Sequence, residues 1–164
     1  MVSALSVVLM LATAVLPVLM YVLPALCGML IWYVSVLINK KYAVGVYFST
    51  SFLSMLLLTD KETALAYALF FGFYPIIRDF FDKLPKALSV ILKLVLFNIC
   101  AVGVGVLGVF IFGVSAEEYY ELGKWTIPFL LGLANVMFLM YENFMKKYRF
   151  FMEGIVNKTK KYFK

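Results

Sequence analysis

MVSALSVVLMLATAVLPVLMYVLPALCGMLIWYVSVLIN (residues 1–39) contains no charged side chain. A helix needs about 20 predominantly apolar residues to cross the ~30 Å hydrocarbon core of a bilayer, so this stretch is long enough for two crossings. Pro17 and Pro24 bracket the place where the chain would turn between them, because proline breaks a helix. No basic region precedes the first apolar run, which favours a retained helix over a cleaved signal peptide. The stretch therefore predicts an integral membrane protein built from helices.

The rest of the 164-residue chain continues this pattern, with 65% hydrophobic and 15% charged residues. A soluble domain is usually about 25% charged. Charges and prolines divide the sequence into six apolar segments. We expect a bundle of six transmembrane helices over residues 1–145 and a separate cytoplasmic tail over residues 146–164. The six segments are 2–16, 22–38, 42–58, 63–77, 88–114 and 125–145.

The basic residues predict how these segments are oriented. Cytoplasmic loops of membrane proteins carry an excess of Lys and Arg. If the N-terminus lies inside, twelve of the fifteen basic residues fall on the cytoplasmic side, at 40–41, 78–86 and 146–164. Only Lys61 and Lys124 fall in outer loops, and Lys93 lies at the edge of the fifth segment, where it would reach back to the membrane surface. We therefore expect a multi-pass protein of the cell membrane with both termini in the cytoplasm.

The tail predicts a second kind of membrane contact. Its apolar residues recur at helical spacing, and lysines flank them. This pattern is typical of a basic amphipathic helix on the anionic inner leaflet. The alternative is a frayed basic tail that only fixes the topology. The apolar stripe consists of Tyr148, Phe151, Met152, Ile155 and Val156.

The loop after the fourth segment carries a cluster of charges. Arg78, Asp79, Asp82 and Lys83 follow Pro75 within eight residues, and their spacing is that of surface ion pairs on a helix. We interpret the cluster as a topology anchor that could also dock a cytoplasmic partner. Since the fourth segment covers only about 22 Å at 1.5 Å per residue, its helix should continue past Pro75 or kink there.

Two stripes of small residues predict close contacts between helices, where backbones can approach one another. The contacts could be internal or with a partner subunit. The run GVGVLG (103–108) matches the spacing of a dinucleotide site, but it lies inside an apolar helix and not after a strand. The stripes are Ala64, Ala68 and Gly72 in the fourth segment, and Ala101, Gly105 and Gly108 in the fifth.

Catalytic and cofactor signals are weak. The chain has no histidine and only two cysteines, both in apolar runs, which disfavours a metal centre. It has neither an H-E-x-x-H motif nor a nucleophile elbow. We expect no enzyme activity, no cofactor and no nucleic-acid partner. Asn98 and Asn135 are polar residues at membrane depth, so each is a functional candidate or one partner of an inter-helix hydrogen bond.

The topology and one short motif resemble a known class. A chain of this length with six spans, cytoplasmic termini and no nucleotide motif resembles the substrate-binding S components of energy-coupling factor (ECF) vitamin transporters. It is also similar to small Firmicutes membrane proteins with a G-[FY]-Y-P stretch, here residues 72–75. In the transporter family, an alanine motif on the first helix docks the coupling subunit. Here the A-x-x-x-A spacing occurs at Ala64 and Ala68 instead.

The resemblance implies a neutral or cationic vitamin-like ligand that binds between helices near the outer face, and a membrane coupling subunit as partner. The candidate ligand-binding residues are Asp60, Glu62, Glu117, Glu118, Tyr119, Trp125 and Asn135. The alternative function is a non-catalytic scaffold subunit of a cell-envelope complex, in which the small-residue stripes would contact partner helices. The ligand, the partner and the oligomeric state stay open.

Overall fold

A computed structural model describes residues 1–16, 19–113 and 126–162, with Leu37, Phe112 and residues 151–162 described by their backbone only. Within these ranges the protein is helical and contains no strand. Seven α-helices and one π-helical segment follow one another along the chain. They are α1 (Val2–Ala12), α2 (Val22–Leu37), α3 (Lys40–Leu57), α4 (Lys61–Ala66), the π segment (Tyr67–Phe71), α5 (Tyr74–Phe81), α6 (Lys86–Phe112) and α7 (Thr126–Tyr162).

Among the described residues, three stretches are long and apolar enough to cross a membrane. They are Lys61–Phe81, Lys86–Ile111 and Thr126–Phe150, while Val2–Ala12 and Val22–Val36 are shorter apolar helices. These stretches confirm the prediction of a helical membrane protein. The arrangement of six crossings and the location of the termini stay predictions.

Side-chain caps set where the middle helices begin. The Asn39 side chain accepts a hydrogen bond from the Lys41 amide at the start of α3, and Asp60 accepts from the amides of Glu62 and Thr63 at the start of α4. Such caps satisfy amides that have no partner within their helix. At its far end, α6 stops at Gly113, which adopts a left-handed conformation that glycine reaches without steric cost.

The last helix differs from the predicted pattern. We expected the membrane segment to end near residue 145 and a separate helix to follow. Instead, the backbone of α7 runs as one helix from Thr126 to Tyr162. The residues that would divide them, 143–146, favour no turn, because the sequence there has neither proline nor glycine.

The central element is the stretch from α4 through the π segment to α5, which packs against α2, α3 and α6. Of the two alternatives predicted at Pro75, a continued helix or a kink, the structure has helix on the far side of the proline: Pro75 lies in the first turn of α5, where a missing amide hydrogen does no harm. In the π segment, the Gly72 amide bonds to the Tyr67 carbonyl at 2.7 Å, a step of five residues. Two carbonyls of this segment accept hydrogen bonds from side chains of other helices. The Tyr47 hydroxyl donates to the Ala68 carbonyl at 2.8 Å, and the Cys100 thiol donates to the Leu69 carbonyl at 3.3 Å.

Glycines allow the central stretch to approach its neighbours closely. A Cβ atom on Gly72 would lie 2.6 Å from the Tyr47 ring of α3. A Cβ on Gly28 of α2 would lie 2.4 Å from the Phe71 carbonyl oxygen. Ala64, from the same predicted stripe as Gly72, is fully buried. In the α6 stripe, by contrast, a Cβ on Gly105 would meet nothing within 4 Å.

Two apolar cores flank the central stretch. The first lies among α1, α2, α3 and α4 and includes Met10, Cys27 and Tyr67. The second is aromatic and joins α2, the π segment and α5 to α6 and α7, with Phe97 and Phe138 stacked at a centroid distance of 4.8 Å. Because α6 and α7 bury little of their apolar surface, most of it is left to face lipid or a partner.

Candidate functional site

Two of the four acidic residues predicted to bind a ligand, Asp60 and Glu62, lie at one end of the bundle. Asp60 caps α4 and also accepts a hydrogen bond from the Thr63 hydroxyl. Glu62 follows it in the first turn and is partly buried. Both carboxylates lie near Tyr21 at the start of α2. Burial raises the pKa of Tyr21, and the negative charges of Glu62 and Asp60 raise this pKa further. We call Tyr21, Asp60 and Glu62 the acidic rim.

The remaining ligand candidates are placed differently. Glu117, Glu118, Tyr119 and Trp125 lie outside the described residues. Asn135 lies on α7, and its side-chain amide exchanges two hydrogen bonds with Asn98 of α6, at 2.9 and 3.0 Å. The structure therefore supports the inter-helix interpretation of the two asparagines. It does not bring Asn135 into contact with the acidic rim, which belongs to α2 and α4.

We predict that the asparagine pair contributes modestly to stability. In a double-mutant cycle of Asn98→Leu and Asn135→Leu, the coupling free energy should be about 0.6–2 kcal/mol, the range for such bonds between membrane helices. Unfolding in mixed detergent micelles would measure it. Asn143→Leu, at an exposed position of α7, serves as the control and should couple with neither asparagine. A coupling near zero between Asn98 and Asn135 would show that the two amides do not pair.

Below the acidic rim lies a group of buried hydroxyls, which we call the hydroxyl cluster. Its members, Ser6, Thr50, Ser54 and Tyr67, are fully buried. None of these hydroxyls makes a hydrogen bond to another side chain or carbonyl in the described part of the chain. An unpaired buried hydroxyl costs about 1–3 kcal/mol, so a polar ligand that paired with these hydroxyls would recover part of that cost.

The members of the hydroxyl cluster lie on three neighbouring elements. Thr50 and Ser54 share one face of α3, since they are four residues apart. The Thr50 hydroxyl faces that of Tyr67 without reaching hydrogen-bond geometry. Ser6 of α1 connects to the same core, because its carbonyl accepts from the Cys27 thiol at 3.4 Å. Tyr67 is six residues past Lys61, about 9 Å along the helix, so the cluster lies in the half of the bundle near the acidic rim.

The opposite end of the bundle holds a buried network of charges, which we call the ionic joint. Glu142 of α7 is its centre: the carboxylate lies 3.1 Å from Arg78 Nε and 2.8 Å from Lys93 Nζ, and it accepts from the Tyr74 hydroxyl at 2.5 Å. Lys93 also contacts Asp82 at 2.5 Å. Arg78, Lys93 and Glu142 are 0%, 2% and 5% exposed. The ionic joint therefore ties α5, α6 and α7 together inside the protein.

This network corrects one interpretation of the sequence. Arg78 does approach Asp82 at the expected spacing, with 3.8 Å between nitrogen and oxygen, but its guanidinium is buried against Glu142 and does not form a surface pair. The Lys93 ammonium is buried between the carboxylates of Asp82 and Glu142, and its depth relative to the membrane surface stays a prediction. A lone charge is costly to bury, whereas a paired and hydrogen-bonded one is tolerated.

The predicted docking residues of this loop are thus divided. Pro75 and Arg78 are buried, so a partner could reach neither without moving helices. Asp79 is 28% exposed and contacts Lys40 of α3 at 3.4 Å, and Lys83 is exposed. A docking role for the accessible residues stays a prediction.

The sequence contains a signal for the ionic joint in the form of one isolated charge in each of two apolar segments. Lys93 is the one charged residue between positions 87 and 112, and Glu142 is the one charged residue between 126 and 145. Two opposite charges, each alone in an apolar segment, stabilise one another if the segments are neighbours. Pairing them would have predicted the contact of α6 with α7.

The chain was compared with protein families, curated proteins and solved structures. No protein-family model, curated protein or solved structure matches the chain.

Proposed function

We propose that the protein is an integral membrane subunit that binds a small, neutral or cationic vitamin-like solute for uptake. The observation that carries this proposal is the hydroxyl cluster, which lies on α1, α3 and the first residue of the π segment, below the acidic rim. Groups that donate and accept hydrogen bonds, yet make none with the described residues, are suited to receive a polar ligand. The resemblance to S components of ECF transporters points in the same direction.

The chemistry of the site favours this class of solute. The hydroxyls of Thr50, Ser54 and Tyr67 can each donate or accept, and they carry no charge. Carboxylates at the acidic rim attract a cation and repel an anion before it reaches the hydroxyls. A neutral or cationic compound with several polar atoms therefore fits better than a carboxylate or a phosphate.

Entry of a solute requires the helices to part, since the hydroxyls are buried. The π segment begins at Tyr67, so the residue that would contact the solute also begins the irregular turn. Such π-helical turns occur frequently at functional sites in membrane and soluble proteins. We propose that the segment around Tyr67 moves when a solute enters.

Two substitutions that remove only a hydroxyl test the proposal. Thr50→Val and Tyr67→Phe should leave stability unchanged or slightly raised, because the hydroxyls have no partner to lose. Solute binding should weaken about tenfold or more for each lost bond to the ligand. Thermal shift of detergent-purified protein with a panel of water-soluble vitamins and nucleosides is the measurement. Tyr33→Phe, in the aromatic core, is the matched control.

A different outcome would remove the main support. If the wild-type protein shifts with no compound of the panel and carries no small molecule after purification, the solute-binding proposal fails. If Tyr67→Phe and Tyr33→Phe bind a compound equally well, the solute does not use the hydroxyl cluster.

The alternative function, a membrane scaffold subunit, is favoured by one observation. Only 6% of the residues in the most apolar part of α6 are buried. Gly105 on this helix faces open space. A partner helix could pack there closely. Affinity purification from membranes discriminates the two functions: recovery of paired ATPases and a coupling subunit supports uptake, whereas recovery of cell-wall or division proteins supports the scaffold.

A further inference from the structure

The ionic joint is surrounded by exposed cations, which we call the basic rim. It consists of Lys40, Lys146 and Arg149, whose side chains are 56%, 52% and 41% exposed. Lys40 and Arg149 both contact Asp79, and Lys146 contacts Glu142 at 3.7 Å. The basic rim and the ionic joint therefore form one connected set of ion pairs from α3 to α7.

Positive charge is in excess in this set. Each of its carboxylates is shared by at least two cations, and one guanidinium nitrogen of the buried Arg78 has no hydrogen-bond partner among the described residues. With five cations against three carboxylates, these described side chains carry a net charge of +2, which attracts an anion. The set contains the cations Lys40, Arg78, Lys93, Lys146 and Arg149 and the carboxylates Asp79, Asp82 and Glu142.

Large exposed apolar side chains follow or precede members of this set by one or two residues along the chain. Phe80 of α5 and Phe144 and Phe150 of α7 are 68%, 57% and 82% exposed. The stretches Lys61–Phe81 and Thr126–Phe150 end here, so the surface changes from apolar to basic over a few residues. A molecule that matches it has an apolar tail and an anionic head.

We propose that the basic rim binds the headgroup of an anionic phospholipid, with its acyl chains along the exposed phenylalanines. Lysines between the ends of membrane helices are suited to hold a phosphate, because they supply concentrated positive charge at the depth of the headgroups. A soluble acidic peptide would meet the charge but would leave the phenylalanines uncovered. The bound lipid would supply an anion for the excess positive charge of the basic rim.

The test compares lipids and variants in detergent. Phosphatidylglycerol and phosphatidylcholine with identical acyl chains are titrated into the purified full-length protein, and bound lipid is counted by native mass spectrometry. The Lys40→Gln/Lys146→Gln variant removes two cations of the basic rim. The control, Lys41→Gln/Lys147→Gln, removes two exposed cations about 100° further around the same helices. A Lys40→Arg/Lys146→Arg variant keeps the charge.

We expect phosphatidylglycerol to bind the wild type and phosphatidylcholine to bind at least tenfold more weakly. The Gln variant of the basic rim should weaken phosphatidylglycerol binding roughly tenfold to thirtyfold, since each lysine near a membrane surface contributes about fivefold. The Arg variant and the control should stay within threefold of the wild type. High salt should weaken binding.

Three results would overturn the proposal. Equal binding of the two lipids would show that the protein does not recognise the charge of the headgroup. Equal losses in the basic-rim variant and its control would show that only net charge matters. If inorganic phosphate or poly-glutamate displaces phosphatidylglycerol at equal charge concentration, the surface recognises anions in general, and a soluble acidic partner becomes the better occupant. None of these results bears on solute binding at the hydroxyl cluster.

Discussion

Replacing Glu142 by Gln should destabilise the protein by about 3–5 kcal/mol, the cost of breaking a buried ion pair. The substitution keeps the shape of the side chain but removes its charge. Arg78 and Lys93, which are 0% and 2% exposed, would then remain in the interior with Asp82 as their one acidic partner in the ionic joint. Unfolding followed by circular dichroism in mixed micelles measures the effect.

Two further variants separate the charge effect from a general sensitivity of this region. Lys146→Gln removes a cation that is 52% exposed and 3.7 Å from the same carboxylate, and should cost at most ~1 kcal/mol. In a triple variant, Arg78→Leu, Lys93→Met and Glu142→Leu, no charge is stranded, so most of the lost stability should return. If Glu142→Gln costs no more than Lys146→Gln, the ionic joint is not buried as described.

The second large effect is expected at Gly28. In Gly28→Ala, the new Cβ would lie 2.4 Å from the Phe71 carbonyl oxygen and 2.9 Å from the Tyr141 hydroxyl. A backbone oxygen cannot move without displacing the π segment, so α2 must separate from the central stretch. We expect a loss of about 1–3 kcal/mol or more, as for other overpacked cores, measured by the same unfolding experiment.

Gly45→Ala provides the comparison for this substitution. Gly45 is also inside a helix, but it is exposed, and a Cβ there would meet nothing within 4 Å. Alanine at such a position should stabilise by about 0.5–1 kcal/mol, because it restricts the unfolded chain more than glycine does. Similar effects of the two substitutions would contradict the close contact of α2 with Phe71.

Much of the fold could be predicted because it follows from composition and spacing. The uncharged stretch 1–39 and the apolar runs after it require a lipid environment and helices. The short fourth segment required a helix that continues past Pro75 or kinks there, and the structure has helix on the far side of the proline. The charge pattern placed Lys40 and the loop around Asp79 on the same side of the membrane without predicting a contact, and an ion pair of 3.4 Å joins Lys40 to Asp79.

The sites were harder to predict because they depend on contacts between distant residues. Tyr74 and Glu142 are 68 positions apart, yet they form one hydrogen bond. No periodicity in the sequence marks the π segment, whose carbonyls are satisfied by Tyr47 and Cys100 from two other helices. Ser6, Thr50 and Tyr67 are ordinary residues in separate segments, and only packing buries them.

The most direct test of the central claim is to identify what the purified protein carries. Wild type and a Thr50→Val/Tyr67→Phe variant are purified in parallel from the same cells, denatured, and the released small molecules compared by mass spectrometry. The proposed function predicts a neutral or cationic compound that the wild type releases and the variant does not, at equal unfolding free energy. Equal amounts from both proteins, or no compound from the wild type, would contradict solute binding at the hydroxyl cluster.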